Sequence, residues 1–421
     1  MKNRIKNFDE LAVTENRRLV FSIVEAGLES INTQAVISNS VKLENDVLNI
    51  LGEKFILSKF KKIKVVGFGK ASIDAALALE EILGSKITEG AVIGLHKIDL
   101  HYIEIFTGTH PKPSQINVEA GERIYQIIKD STVEDLIIVL VSGGGSALLC
   151  YSQNECEQNV NLYNEFLKSG KTIAEINTVR KHLSILKGGG LAKIAYPATV
   201  IGLIFSDVPG DNFSNVASGP TYKDETTVID AEKIITENNL GDFDLIETHK
   251  EDRYFENVHN FVLVSNKIAL EAMREKSKEL GLMTKIVSDE IYDEISIALK
   301  RISAVKENNT VVLAAGEPSV YINDRGGKGG RNLHIDLEML KMIDDDSVFI
   351  SFASDGMDNS DSAGAVVDKN TLEKAKELGL DIDDYLSRFD SYNFFQKSGD
   401  LIMTGATGAN VSDLMILLTK K

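Results

Sequence analysis

Leu136-Ile137-Ile138-Val139-Leu140-Val141-Ser142-Gly143-Gly144-Gly145-Ser146 decides the fold, because six apolar residues run straight into three glycines flanked by serines. A short, uniformly apolar run bounded by a turn reads as a strand buried on both faces, which places it in a parallel sheet covered by helices. Three successive glycines lose much conformational freedom on ordering, and folding alone gives no reason for that cost. Their amides can form an anion-binding nest, to which Ser142 and Ser146 add hydroxyl donors. A serine nucleophile does not fit, since Leu148 stands where the Gly-x-Ser-x-Gly elbow requires its last glycine.

The same pattern recurs upstream. Ile63–Val66 reads as a strand that enters Gly67-Phe68-Gly69-Lys70, followed by an Ala/Leu-rich helix ending near Gly84. Gly69 lets a ligand approach the backbone, and Lys70 stands at a helix start where anions are attracted. The dinucleotide fingerprint is incomplete there, because Ser72 occupies its third glycine position. Further strands are expected at Ala91–Leu95, Ile103–Phe106, Thr199–Phe205, Phe261–Val264, Thr284–Val287, Thr310–Ala314, Val348–Phe352 and Leu401–Met403. Strands alternating with helices predict an α/β chain with a doubly wound, mostly parallel sheet. One helix is expected from about Phe8 to Ile31. The acidic stretch from Lys223 to Glu256 is a candidate inter-domain region, or else a helical excursion within one domain.

The chain has 421 residues, enough for two domains, and carries 63 acidic against 46 basic side chains for a formal charge of −17. Such a field repels nucleic acid and anionic lipid, which excludes those partners. It also repels ATP and small carboxylates, so a site for either needs local cations beside glycine turns. Cys150 and Cys156 suit a reducing, cytoplasmic setting and form neither a disulfide framework nor a zinc site.

Cations of that kind occur in two further places. Asp324-Arg325-Gly326-Gly327-Lys328-Gly329-Gly330-Arg331-Asn332 carries three cations among four glycines before a helix expected through Leu340. Arg331 can fork two phosphate oxygens, and Gly329, Gly330 and Asn332 are candidate phosphate ligands. Arg180 and Lys187, near Gly188–Gly190, could bind a substrate carboxylate or further phosphate oxygens, whereas Lys181 reads as a solvated helix-face residue. Neither a P-loop nor the protein-kinase signatures are present.

Two acidic clusters follow apolar strands: Ser206-Asp207-Val208-Pro209-Gly210-Asp211, and Ser354 to Asp361. Loops at the carboxyl ends of strands build sites in open α/β sheets, so Asp207 and Asp355 are candidates for metal ligation or for accepting a hydroxyl proton. Helix caps or Asx turns are the alternative for each. Thr404 and Gly405 follow a short strand and either line a ligand site or make a turn. His110, between Thr109 and Pro111, could touch substrate but reads better as part of a rigid turn.

Together these motifs resemble the glycerate 2-kinase family, whose C-terminal part carries the MOFRL domain. The matching stretches are Gly67–Ser72, His110–Pro113, Ser142–Leu149, Asn177–Gly189, Ser206–Asp211 with Ala217–Thr221, Gly326–Asn332, Asp355–Gly364 and Thr404–Asp413, in the family's order. The resemblance implies a Rossmann-like N-terminal domain (1–240), a C-terminal α/β domain (241–421, MOFRL core about 309–418) and an active site in the inter-domain cleft. It implies phosphorylation of D-glycerate, or a related sugar acid, at its 2-hydroxyl by ATP with Mg²⁺ or another divalent ion. The family's active-site lysine and arginine fall on Lys70 and Arg331, and Asp207 completes the expected catalytic set. Nucleotide contacts are expected from Gly69, Ser142–Ser146, Gly329, Gly330, Asn332, Asp355, Thr404 and Gly405. Substrate contacts are expected from Lys70, Arg180, Lys187 and Arg331. The resemblance implies neither a nucleic-acid nor a membrane partner and is compatible with a homodimer. The chain departs from the family's pattern at Ala315–Ser319 and at Leu333-His334.

Overall fold

The computed structural model describes residues 3–169, 173–208, 212–320 and 326–421. The chain divides into two compact units, one of Thr33–Leu263 and one of Met1–Asn32 with Val264–Lys421.

The Thr33–Leu263 unit opens with helix Thr33–Ser40, followed by a small antiparallel meander of β1 (Val41–Glu44), β2 (Val47–Ile50) and β3 (Glu53–Ile56). Its main sheet comprises β4 (Lys62–Phe68), β5 (Glu89–Gly94), β6 (Glu104–Thr107), β7 (Asp135–Ser142), β8 (Thr199–Phe205) and β9 (Val258–Val264), in the order β6-β5-β4-β7-β8-β9. The pairs β6/β5, β5/β4, β4/β7 and β7/β8 are parallel. All eight residues of β7 are buried, as its unbroken apolar run requires. From β4 the chain builds outward through β5 and β6, then returns to lay β7 on the other flank of β4. The β4–β7 boundary is therefore the topological switch point, and both glycine turns lie at its carboxyl edge.

In the other unit the sheet order is β10-β11-β15-β12-β13-β14, built from β10 (Met283–Ile291), β11 (Thr310–Gly316), β12 (Ser347–Ala353), β13 (Gly364–Val367), β14 (Leu401–Ile402) and β15 (Asp413–Thr419). Only β10/β11 is parallel; the remaining pairs are antiparallel. The buried residues of β15 put an apolar segment, unassigned in the sequence reading, at the centre of this sheet.

Three expectations need correction. The N-terminal helix breaks into Phe8–Leu11 and Glu15–Ser30, because the Thr14 hydroxyl accepts from the Arg17 amide and caps a new helix. The units also divide at 32/33 and 263/264 rather than at 240/241. Helix Glu15–Ser30 belongs with the second sheet: Gly27 lies against Met273, and Arg17 is bonded to Asp368 (2.7 Å) and Asp400 (2.9 Å). Finally, 223–256 is an excursion inside one unit. Ala231 of its helix Val228–Asn238 and Leu240 just beyond it pack with Ile176 and Val179.

Arg17 is 1% exposed, and its two carboxylate partners are buried as well. Truncating one member of such a network strands the others without a counter-charge. Urea unfolding of Arg17→Met should show a loss of about 3–5 kcal/mol. An unchanged midpoint would mean that the network adds nothing.

Candidate active site

In the Thr33–Leu263 unit the two glycine turns behave differently. Those of β4 are closed: Gly69 N donates to Ile93 O (3.2 Å), Lys70 N to Gly143 O (2.8 Å), Ala71 N to Ser142 Oγ (3.1 Å) and Ser72 N to Gly69 O (3.3 Å). Gly69 has φ +125°, and a Cβ there would collide with Ser142. The expected nucleotide contact at Gly69 is therefore replaced by a seam between the turns. Ser142 is corrected likewise, since its hydroxyl also bonds Ser72 Oγ (3.1 Å) and is buried.

The β7 turn is open. The amides of Gly143, Gly144, Gly145 and Ser146 have no hydrogen-bond acceptor among the described residues. Buried or half-buried N–H groups are normally paired, so four in succession make a binding surface for an anion. Gly144, at φ +78°, sits beneath two side chains: a Cβ there would lie 3.2 Å from both Lys70 Cγ and His110 Cδ2. Asp207, from the end of β8, packs its carboxylate against Gly143. Ser146 Oγ bonds Ser218 Oγ (2.9 Å), which bonds Asn177 Oδ1 (3.2 Å) on helix Ile173–Lys181. Arg180 lies one turn further along that helix, and its Nε is buried without a hydrogen-bond partner among the described residues. Burial pulls the Arg180 guanidinium down to about 10, still charged at neutral pH.

His110, set aside in the sequence reading, thus belongs with Lys70 and Arg180. Burial of the ring, reinforced by those two charges, lowers its pKa to about 4. The residue as a whole is nonetheless exposed to solvent. An unfolded histidine takes up a proton below about pH 6.5, whereas this one waits until about 4. Its contribution to stability is accordingly intact above 6.5 and is lost as the pH falls toward 4. Ring chemical shifts should show a neutral His110 at pH 6 in phosphate-free buffer, and inorganic phosphate should raise its pKa by a unit or more. An ordinary titration near 6.5 without phosphate would contradict the cation cluster.

Two other cations are corrected. Lys187 is buried, with Nζ donating to Leu149 O (2.6 Å) and paired with Glu155 (2.5 Å), so it braces the unit and is not offered to substrate. Lys181 is buried against Asp224 (3.1 Å) rather than solvated. Pro209, Gly210, Asp211 and Arg325 lie outside the described residues.

The second unit holds a cavity of about 720 Å³ at one edge of its sheet. Antiparallel pairing sets the first residue of β15, Asp413, opposite both Gly316 and Ala353. The residues that follow β11 and β12, Glu317 and Asp355, consequently converge on Asp413 around this cavity. Arg331 opens helix Arg331–Leu340 and enters the same space. Its Nε pairs with Asp413 and its Nη2 with Glu317 (3.2 Å), leaving Nη1 without a partner among the described residues. Burial opposes its charge, but Asp413 and Glu317 outweigh that and hold its pKa above the ordinary value. Asp413 shows the reverse balance. Burial lifts it to about 7, and Arg331 offsets only part of the rise. Neither Glu317 nor Asp413 was singled out in the sequence reading. The legible signal was an acid at the mouth of an apolar strand, the pattern that marked Asp207 and Asp355.

The amides expected to hold phosphate here are already occupied. Asp358 accepts from Gly330 N (3.2 Å), Asn332 N (3.1 Å) and Leu333 N (2.8 Å), and it leaves no room for a side chain at Gly330. Asn332 is buried, donating to Asp358 (3.1 Å) and accepting from Ser351 Oγ (2.6 Å). Gly330 and Asn332 thus build the helix start and offer no amide to phosphate. Gly329, at φ +131°, lines the cavity. Asp355 also lines it, and its Oδ1 accepts from Met357 N (3.0 Å) in an Asx turn. Thr404 and Gly405 lie behind this loop against Gly356, with the Thr404 hydroxyl donating to Gly405 O (2.7 Å). They support the loop without lining the cavity.

The profile of a domain of unknown function, DUF4147, matches residues 19–247, and that of the MOFRL family matches 310–413. A glycerate 2-kinase of Pyrococcus horikoshii is 33% identical over 96% of this chain and 97% of its own. A chain of Agrobacterium vitis with the provisional name hydroxypyruvate reductase is 34% identical over 84% of this chain. The solved glycerate kinase of Thermotoga maritima superposes with a TM-score of 0.82 at 28% identity, covering 96% of this chain and 99% of that one. The chain belongs to the glycerate 2-kinase family, with a DUF4147 region followed by a MOFRL region.

Proposed function

We propose that this protein is an ATP-dependent glycerate 2-kinase, transferring the γ-phosphoryl group of ATP to the 2-hydroxyl of D-glycerate to give 2-phosphoglycerate and ADP. The observation that carries the reading is the open run of amides from Gly143 to Ser146 beneath Lys70 and His110, with Arg180 nearby. A strongly acidic chain has little reason to gather cations over open amides except to hold an anionic ligand. The names of its glycerate kinase relatives supply the substrate class.

In this reading transfer is direct and in-line, without a phospho-enzyme. Amides 143–146 seat phosphate oxygens, Arg180 attracts the substrate carboxylate, and Lys70 and Arg331 stabilise charge on the transferred group. A divalent ion, Mg²⁺ for instance, would supply positive charge against the phosphates when bound. Asp207 and Asp355 are its candidate ligands, and whichever does not bind it would orient the 2-hydroxyl. Among the described residues no cluster of three or more His, Cys, Asp or Glu is placed to cage a metal alone. That suits an ion delivered with the nucleotide, which needs only one or two protein carboxylates. Cys150 and Cys156, both free and buried, are compatible with a cytoplasmic setting.

A hydroxypyruvate reductase would bind the pyrophosphate of its dinucleotide at the β4 turn. The amides of residues 69–72 are already bonded within the protein, which disfavours that reading. Coupled ADP release should rise with D-glycerate and Mg-ATP, and NMR of the product should place phosphate on C2. No ADP release over glycerate and longer sugar acids, or oxidation of NADH by hydroxypyruvate, would overturn the proposal.

A further inference from the structure

A second cavity, of about 580 Å³, adjoins the one at Arg331 and shares Ser319, Val320, His334 and Phe389 with it. At their junction the His334 and Phe389 rings stack, with centroids 5.2 Å apart and planes inclined by 21°. Phe389 adopts φ +53°, a left-handed conformation that a bulky residue enters only when its surroundings impose it. Here they do: Phe389 N donates to Leu386 O (3.1 Å), and Gly327 N to the Arg388 carbonyl (2.8 Å) just before it. Nδ1 of His334 is buried and has no hydrogen-bond partner among the described residues.

Arg331, His334 and Glu338 follow one another at spacings of three and four, hence along one helix face. Arg331 lines the first cavity, Glu338 the second and His334 both. Read along this face, a cation is followed by an aromatic platform and then by a carboxylate. That order matches a ligand with phosphate at one end, a flat ring in the middle and an N–H donor at the far end.

We infer that the second cavity takes the base of the nucleotide, and specifically a purine bearing an exocyclic amino group. The base stacks on the His334–Phe389 pair and donates to the Glu338 carboxylate, while its phosphates extend toward Arg331. Carboxylates outnumber Arg331 around the first cavity, which selects a metal-complexed nucleotide over a bare polyphosphate. The subsite deepens the kinase reading above and rests on it for the identity of the ligand as a nucleotide.

The test compares Phe389→Ala, Phe389→Tyr and Glu338→Ala with the parent protein in two measurements. One is steady-state kinetics with Mg-ATP and D-glycerate; the other is calorimetric binding of Mg-ADP and of Mg-tripolyphosphate. Stacking on an aromatic side chain is worth about 1–3 kcal/mol per base, or roughly 5- to 150-fold. Phe389→Ala and Glu338→Ala should raise KM for ATP and Kd for ADP at least about tenfold. KM for glycerate, kcat and tripolyphosphate binding should stay within about threefold, and Phe389→Tyr should restore ADP affinity. Equal weakening of ADP and tripolyphosphate, or ADP binding unchanged in both alanine variants, overturns the subsite. If the parent binds ADP but phosphorylates no acid, the calorimetric arm still decides the subsite while the kinase reading fails. If the parent binds no nucleotide, both fail.

Discussion

Replacing Arg331 by alanine should lower kcat by about 10³-fold or more, the scale on which an arginine stabilises charge in phosphoryl transfer. Lysine at this position should recover little. Arg331 spans Asp413 and Glu317 with two different nitrogens, a forked geometry that a single ammonium cannot reproduce. The fold should survive the change near neutral pH. Asp413 is buried with its pKa already at about 7, and without its partner it can take up a proton instead of remaining a stranded charge. A thermal midpoint close to the parent's, combined with collapsed turnover, is the expected pair of results. Near-parental kcat in either variant would remove Arg331 from the reaction.

The second large effect is expected from Gly143→Ala. This methyl group would be driven into the Asp207 side chain as far as its Cβ, which is not the loose end of a long side chain. Either the turn or Asp207 must shift, and displacement of a reacting group by about 1 Å can cost 10²-fold in rate. Loss of kcat/KM for glycerate by about 10²-fold is expected, with far-UV circular dichroism unchanged. Gly52 offers a control, since a Cβ there meets nothing within 4 Å. It has φ +97°, however, so Gly52→Asn, which tolerates left-handed backbone better than alanine, is the suitable substitution. Full activity in Gly143→Ala would show that the turn and Asp207 do not act together.

Much of the architecture was legible in the chain because burial on both faces of a parallel strand demands an unbroken apolar run. Residues 136–141 could therefore be read as a strand, and the glycines after them as its exit turn. The expected strands from Ile63 through Leu401 all occur, Thr199–Phe205 with its ends unchanged and the others with shifted ends. The β15 segment was missed although Leu414–Leu418 is uniformly apolar, since a short apolar run does not by itself distinguish strand from buried helix.

Composition and local pattern determined which residues could hold anions: glycine turns leave amides exposed, and isolated cations on an acidic chain stand out. What they could not determine was which of those groups remain available. The β4 turn and the Arg331 helix start both look like phosphate nests in sequence, yet one is closed by Ser142 and Gly143 and the other by Asp358. Lys187 and His110 exchanged roles for the same reason. A buried Glu155, 32 residues away in the chain, claims the lysine, whereas the histidine is carried over Gly144 beside Lys70. Hydrogen-bonding capacity is written in residue type, but its satisfaction depends on partners that only long-range packing brings within 3 Å.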